Sequence, residues 1–255
     1  MKKSLILITL SVLTLTLLPM GGTVSHGVTP AGFGGAPVPA PVLTPPCDDG
    51  IDSIGGCPNT GCGENGDALL NQAKNRFDLA TGPATMTLQQ MRAVPQPLHW
   101  NTGQSRSSIQ GTGREGSVVT VKGFLLKVKP EGGESCNCGL TRRVDTDVHF
   151  ALVSDIEDAE NLSITAEVSP RVRAQSHPGW LYKDLKDFES DYVKVKGFLM
   201  LDTKHISQGH RLPGERANHG LQRATNWEIH PVTQLWICTK SKHACDHGSG
   251  WQEVP

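Results

Sequence analysis

The chain has no surplus of positive charge. Its 24 Lys and Arg face 25 Asp and Glu, for a formal net charge of −1 over 255 residues. A dedicated nucleic-acid binder concentrates basic residues on one face, so this balance disfavours nucleic acid as partner. Aromatic residues are scarce, at 5%. No G-x-S-x-G element is present, which removes support for a nucleophile-elbow hydrolase. The N-terminal apolar stretch, Leu5 to Leu18, is short for a stable membrane span and is diluted by Ser and Thr. No cysteine precedes Cys47, so the thiol that bacterial lipidation needs beside the leader is missing. Asp48, Asp49 and Asp52 hint at a calcium loop, but the full twelve-residue pattern is absent and they read as solvated turn acids.

The charged and apolar order of residues 1–22, with Lys2 and Lys3 before the apolar stretch and Pro19-Met20-Gly21-Gly22 after it, predicts a cleaved secretory signal. An uncleaved anchor is the alternative. A secreted or periplasmic protein follows, with no stable membrane span after cleavage. Removing the leader takes two lysines and no acid, leaving 22 basic and 25 acidic residues, a charge of −3. All seven cysteines lie beyond it, and an oxidising compartment should pair most of them, leaving one free or intermolecular. Cys238 and Cys245 are expected to pair, because six intervening residues let the chain return. Cys57, Cys62, Cys136 and Cys138 offer a four-thiolate metal site as the alternative to disulfides, although their spacings depart from the usual knuckles.

Residues 23–46 are a Pro/Gly-rich linker, and 47–116 a Cys-rich segment with one short helix and an irregular connector. The helix is predicted from Gly66 to about Asp78, with Leu69, Ala73 and Phe77 on its inner face and Lys74 and Arg76 on the wet side. His99 and Trp100 are expected to pin the connector to the domain that follows. Apolar–polar alternation then predicts strands at 117–129, 144–154, 161–169, 191–202 and 226–238, with one helix near 180–190. Val148, Phe150 and Leu152 share one face, as do Leu162, Ile164, Ala166 and Val168, and as do Trp227 and Ile229. Val119–Leu125 and Val193–Leu199 match at nearly every position, and each carries a glycine (Gly123, Gly197) where a barrel strand bends. Pro231 should kink or bulge the last strand. The fold class is therefore mainly β: a five-stranded oligonucleotide/oligosaccharide-binding (OB)-like barrel over 117–239, with a tail at 240–255. The turn-rich composition before it predicts a barrel that folds alone from about Gly113.

The runs D-V-H-F-A-L-V-S-D, I-T-A-E-V-S-P, V-K-V-K-G-F-L-M-L-D-x-x-H and N-W-E-I-H-P-V resemble a group of exported bacterial proteins with an OB-like barrel and a C-terminal E-I-H-P-V motif. The resemblance covers about 117–239. It implies fold and export, and it brings no activity.

Strand parity puts Asp147 and His149, then Ser163, Thr165 and Glu167, then Glu228 and His230 on the outer face, with Asp202 and His205 at the end of strand four. Asp147, His149, Glu167, Glu228 and His230 form the candidate ligand-binding patch. His149, His205, Glu228 and His230 form the candidate set for a divalent metal such as zinc, which accepts nitrogen and oxygen ligands. Ordinary cross-strand polar pairing is the plain alternative. Further histidines, His210 and His219, lie in the following loop. Thermonucleases share this barrel, but their D-G-D-T calcium motif is absent; Asp145-Thr146-Asp147 is a distant echo. Arg171, Arg173, Arg211, Arg216 and Arg223 read as surface charge. Two functions stand: a non-catalytic exported binding module for a small ligand, glycan or protein, and a metal-dependent hydrolase using the His/Glu cluster.

Overall fold

The computed structural model describes residues 40–82, 85–109, 115–209 and 222–255. The expected leader, residues 23–39 of the linker, and His210, Arg211, Arg216 and His219 lie outside the described residues. Among those described, no helix is long and apolar enough to cross a membrane.

Period-two alternation builds a closed barrel. Strands β1 (Val118–Pro130), β2 (Val148–Val153), β3 (Ile164–Val168), β4 (Tyr192–Leu201) and β5 (Trp227–Cys238) are ordered β3-β2-β1-β4-β5. A parallel pairing of Ala166 with Ile229 joins β3 to β5 and closes the ring. The remaining pairings are antiparallel. A mixed five-stranded barrel in this order is the OB fold. A short sixth strand, β6 (Trp251–Glu253), extends the sheet beyond β5.

Val148, Phe150, Leu152, Ile164, Ala166, Val168, Trp227 and Ile229 fill the interior, none more than 1% exposed. Each large side chain buried there contributes about 1.5–3 kcal/mol. Leu162 is an exception to its expected set. It ends a 3-10 turn (Glu160–Leu162) ahead of β3 and is 44% exposed, because the strand starts later than its apolar pattern does. At Gly197 a Cβ would lie 2.2 Å from the carbonyl oxygen of Pro231, so only glycine permits this approach of β4 to β5. The register slips on both sides of Gly197, beside a proline that cannot donate to the ladder.

The N-terminal segment packs onto this barrel. Helix α1 (Ala68–Lys74) starts at Asp67, whose carboxylate accepts from the N–H groups of Leu69 and Leu70. It ends earlier than the apolar spacing predicts, and its buried face is Ala68, Leu70, Asn71 and Lys74, while Phe77 is 40% exposed. Lys74 thus faces the barrel instead of water. Helix α2 (Leu88–Arg92) opens with a reciprocal Thr87–Gln90 cap and packs against β1 and β3. Leu88, Met91 and Ile109 belong to the same hydrophobic cluster as the barrel interior, and Trp100 packs against it. Composition alone predicted an autonomous barrel; the shared core shows that Pro39–Pro255 is built as one unit.

Two disulfides fasten this segment: Cys47–Cys62, and Cys57–Cys138, which ties it to the β1–β2 connection. Gly61, at φ +65°, lets the backbone pass where a Cβ would lie 2.0 Å from the Ser135 carbonyl oxygen. Cys136 stays a buried thiol, so a four-thiolate site is not what these cysteines form. In place of the one helix expected between strands three and four there are two. Helix α3 (Pro170–Ser176) is capped by Ser169 with Pro170 in its first turn, and α4 (Tyr182–Lys186) follows. After β5, Cys238 bonds to Cys245 in helix α5 (Lys242–Asp246), with sulfurs 1.99 Å apart.

Candidate metal centre

The residues that parity places on the outer face are there, but that face is dry. Asp147, Glu167 and His230 are each 1% exposed and Glu228 is fully buried, because α1 and the 3-10 turn Ser135–Asn137 lie over them. Ser163 and Thr165 are buried too. The expectation of a solvated patch is corrected by this cover, which comes partly from the segment before the barrel and partly from the β1–β2 connection. His149 keeps a partly open side chain, at 24%, and His205 at the end of β4 is more open still, at 38%.

Glu167 is the hub. Its partner across the β2–β3 ladder is His149, whose Nε2 lies 2.7 Å from Glu167 Oε1 and whose Nδ1 lies 3.0 Å from Glu131. Across the seam, His230 Nδ1 lies 2.7 Å from Glu167 Oε2 and 3.5 Å from Glu228 Oε1. His230 Nε2 points toward Asp147 Oδ1 at 4.0 Å. From above, the Lys74 ammonium reaches Glu134 at 2.8 Å and Glu167 at 3.8 Å. Arg223, which the sequence reading took for surface charge, is buried and bridges Glu228 at 2.9 Å and Asp202 at 2.5 Å. His205 pairs with Asp202 at 2.9 Å.

Five carboxylates (Glu134, Asp147, Glu167, Asp202, Glu228) face three permanent cations: Lys74 and Arg223 within the cluster and the buried Arg173 near Asp147. Unpaired buried charge is very costly, so the remaining negative charge must be met by protons or by a bound cation. Without a cation, protons do it. Burial alone would push the histidines down, but the Glu167 carboxylate overrides it and raises His230 to about 10 and His149 to about 9. Burial raises the Asp147 and Glu228 carboxyls, the latter also through Glu167. Glu167 itself is held well below the usual range, since His149, Lys74 and His230 together outweigh its burial.

Hydrogen bonding is nevertheless incomplete. Both ring nitrogens of His230, Asp147 Oδ1, Glu167 Oε2 and Glu228 Oε1 are buried without an aligned hydrogen-bond partner among the described residues. Buried polar atoms are rarely left this way. Ligand atoms of Asp147, Glu167 and His230 lie within 4.8 Å of one another. Of the four expected metal ligands, only His230 falls in such a group; His149 and Glu228 border it, and His205 sits apart with Asp202. Glu134 was missed, Lys74 was expected on the wet side and Cys136 in a thiolate site or a disulfide, because their segments carry no strand pattern that would aim them at this face. The cluster opens through His149, Glu167 and His205 into a pocket of about 190 Å³, and His230 also borders a wider cleft of about 560 Å³ beside α1 and Phe198.

No family model and no curated protein matches the chain. Among solved structures, it is similar to asparaginyl-tRNA synthetase from Entamoeba histolytica, at 13% identity and a TM-score of 0.27 over 52% of this chain and 23% of the other. Aspartyl-tRNA synthetase from Entamoeba histolytica gives 16% identity and 0.25 over 70% and 27%. The chain thus matches about a quarter of the length of these enzymes.

Proposed function

We propose that this protein is an exported OB-barrel binding module whose ligand is a divalent cation, zinc in the first instance, held by Asp147, Glu167 and His230 beneath α1. The observation that carries the reading is the convergence of ligand atoms of Asp147, Glu167 and His230 within 4.8 Å, with Asp147 Oδ1 and His230 Nε2 buried 4.0 Å apart and without a hydrogen bond, in a cluster with more carboxylates than permanent cations. Nitrogen and carboxylate oxygen are the donors that zinc accepts. A bound cation would meet the charge that protons otherwise meet, and leave His230 neutral. The three disulfides favour an oxidising compartment, in line with the leader.

Calorimetry on the purified protein tests this with zinc, manganese and calcium. One zinc per chain is expected, with binding lost in His230→Ala and in the isosteric Glu167→Gln while far-ultraviolet circular dichroism is unchanged. Absence of any binding that depends on His230 or Glu167 overturns it.

A metal-dependent hydrolase is the second reading. It is favoured by His149, which sits between Glu131 and Glu167 at the floor of the 190 Å³ pocket and offers an imidazole beside the cation. Zinc-dependent cleavage of an activated phosphodiester, abolished in His149→Ala with metal affinity kept, would select this reading over the first.

A further inference from the structure

Six of the seven cysteines are consumed by disulfides, which leaves Cys136 as the one thiol of the chain. A structural free cysteine behaves as a small hydrophobe and sits among apolar side chains. Cys136 does not. It is 1% exposed, and its Sγ lies 3.2 Å from Glu134 Oε2 and 3.9 Å from Asp147 Oδ2. The 3-10 turn that carries it is fixed on both sides: Cys138 is bonded to Cys57, and Asn75 Nδ2 donates 2.8 Å to the Cys136 carbonyl oxygen. The thiol is therefore held in place against two carboxylates.

Asp147 connects this thiol to the centre described above. Ligand atoms of Glu134, Cys136 and Asp147 lie within 4.8 Å of one another, as do those of Asp147, Glu167 and His230, so Asp147 belongs to both groups. Its Oδ2 accepts from Asn137 Nδ2 at 2.9 Å, while its Oδ1 is buried and unpartnered on the side of His230. Two carboxylates beside a thiol oppose formation of the thiolate. A divalent ion among them reverses that sign and deprotonates the sulfur.

Resting on the metal reading, we infer that Cys136 supplies a thiolate, beside Glu134, to an ion held by Asp147, the carboxylate that this group shares with Glu167 and His230. The donor set at this end of the cluster then combines oxygen and sulfur. Such a set takes zinc or cobalt(II) and discriminates against magnesium and calcium, which bind through oxygen.

Cobalt(II) titration of the full chain, disulfides intact and no reductant added, tests the inference by absorption. Visible ligand-field bands report binding, and a near-ultraviolet sulfur-to-cobalt charge-transfer band reports a thiolate ligand. Both are expected in the wild type. Cys136→Ser should lose the charge-transfer band, keep the visible bands, and weaken zinc by at least the roughly 10–100-fold lost when a supporting partner is removed. Should Cys136→Ser not fold, the wild-type spectrum decides alone, because no other cysteine is free. Visible bands without the charge-transfer band overturn the role of Cys136 and leave the metal reading standing. No cobalt bound at all overturns both.

Discussion

Both faces of β3 and of the first half of β5 are buried, and they are chemically opposite. Inside, Phe150, Ala166 and Ile229 pack against other strands of the same barrel. Outside, Glu167 and His230 pack beneath a cover made of α1, which precedes the barrel, and the turn Ser135–Asn137 of the β1–β2 connection. Interior burial follows from alternation plus closure, and any sequence with that pattern obtains it. Exterior burial depends on a cover placed by capping, disulfides and one lysine. Dryness on the second face is therefore conditional, and its charges interact in a poorly screened setting only while the cover is on.

Removing the cover should have the largest effect. A fragment of residues 117–255 loses Leu88, Met91 and Ile109 from the core and exposes the carboxylates of the cluster. It is expected to show no cooperative thermal unfolding, where the full chain shows one; a sharp transition in the fragment would mean that the cover contributes nothing to the core.

A milder break keeps the cover and removes its charge. Lys74→Met preserves most of the packed volume but withdraws the permanent cation that meets Glu134 and Glu167. Stripping one partner from a buried ion pair costs roughly 3–5 kcal/mol, so the denaturant midpoint should fall accordingly, and saturating zinc should recover part of the loss. A variant as stable as the wild type would show that the face is wetter than its burial implies.

The smallest effect separates protons from metal as the neutralising charge. In metal-free protein His149 and His230 are raised from 6.5 to about 9 and about 10. A raised pKa gives stability that is fully present below the unfolded value, near 6.5, and is lost as pH rises through the folded value. The melting temperature of metal-free protein should thus fall between about pH 7 and pH 10, where an ordinary surface histidine would leave it flat. Zinc should remove most of that slope, since the bound ion replaces the protons. Identical pH profiles with and without zinc would mean that the ion does not bind at these histidines.

The barrel was legible because its signals are local. Alternation in Val193–Leu199 and Trp227–Leu235, and the matched glycines, place strands and interior without knowledge of any partner. Parity likewise put Asp147, His149, Glu167, Glu228 and His230 on one side. What parity cannot carry is the state of that side, because T-N-W-E-I-H-P-V reads the same under water as under a helix. Lys74 shows the difficulty most directly. A lysine one turn from Leu70 and Asn71 is ordinary on a wet helix face, and only the negative cluster opposite makes it an inward residue. Arg223 was misjudged for the same reason: it looks like solvated charge until Asp202, from the end of β4, is placed beside it.

The ring of strands has one thin point. β3 and β5 meet through the single parallel pair Ala166–Ile229, whereas each other junction of the barrel is a longer antiparallel ladder. Glu167 follows the first residue of that pair, and Glu228 and His230 flank the second. Side-chain contacts between these residues therefore span the joint that backbone hydrogen bonds hold least. An ion gripped by Glu167 on one strand and His230 on the other would act as a rivet in a hoop, and the barrel's resistance to opening would be set by coordination chemistry as much as by its ladders.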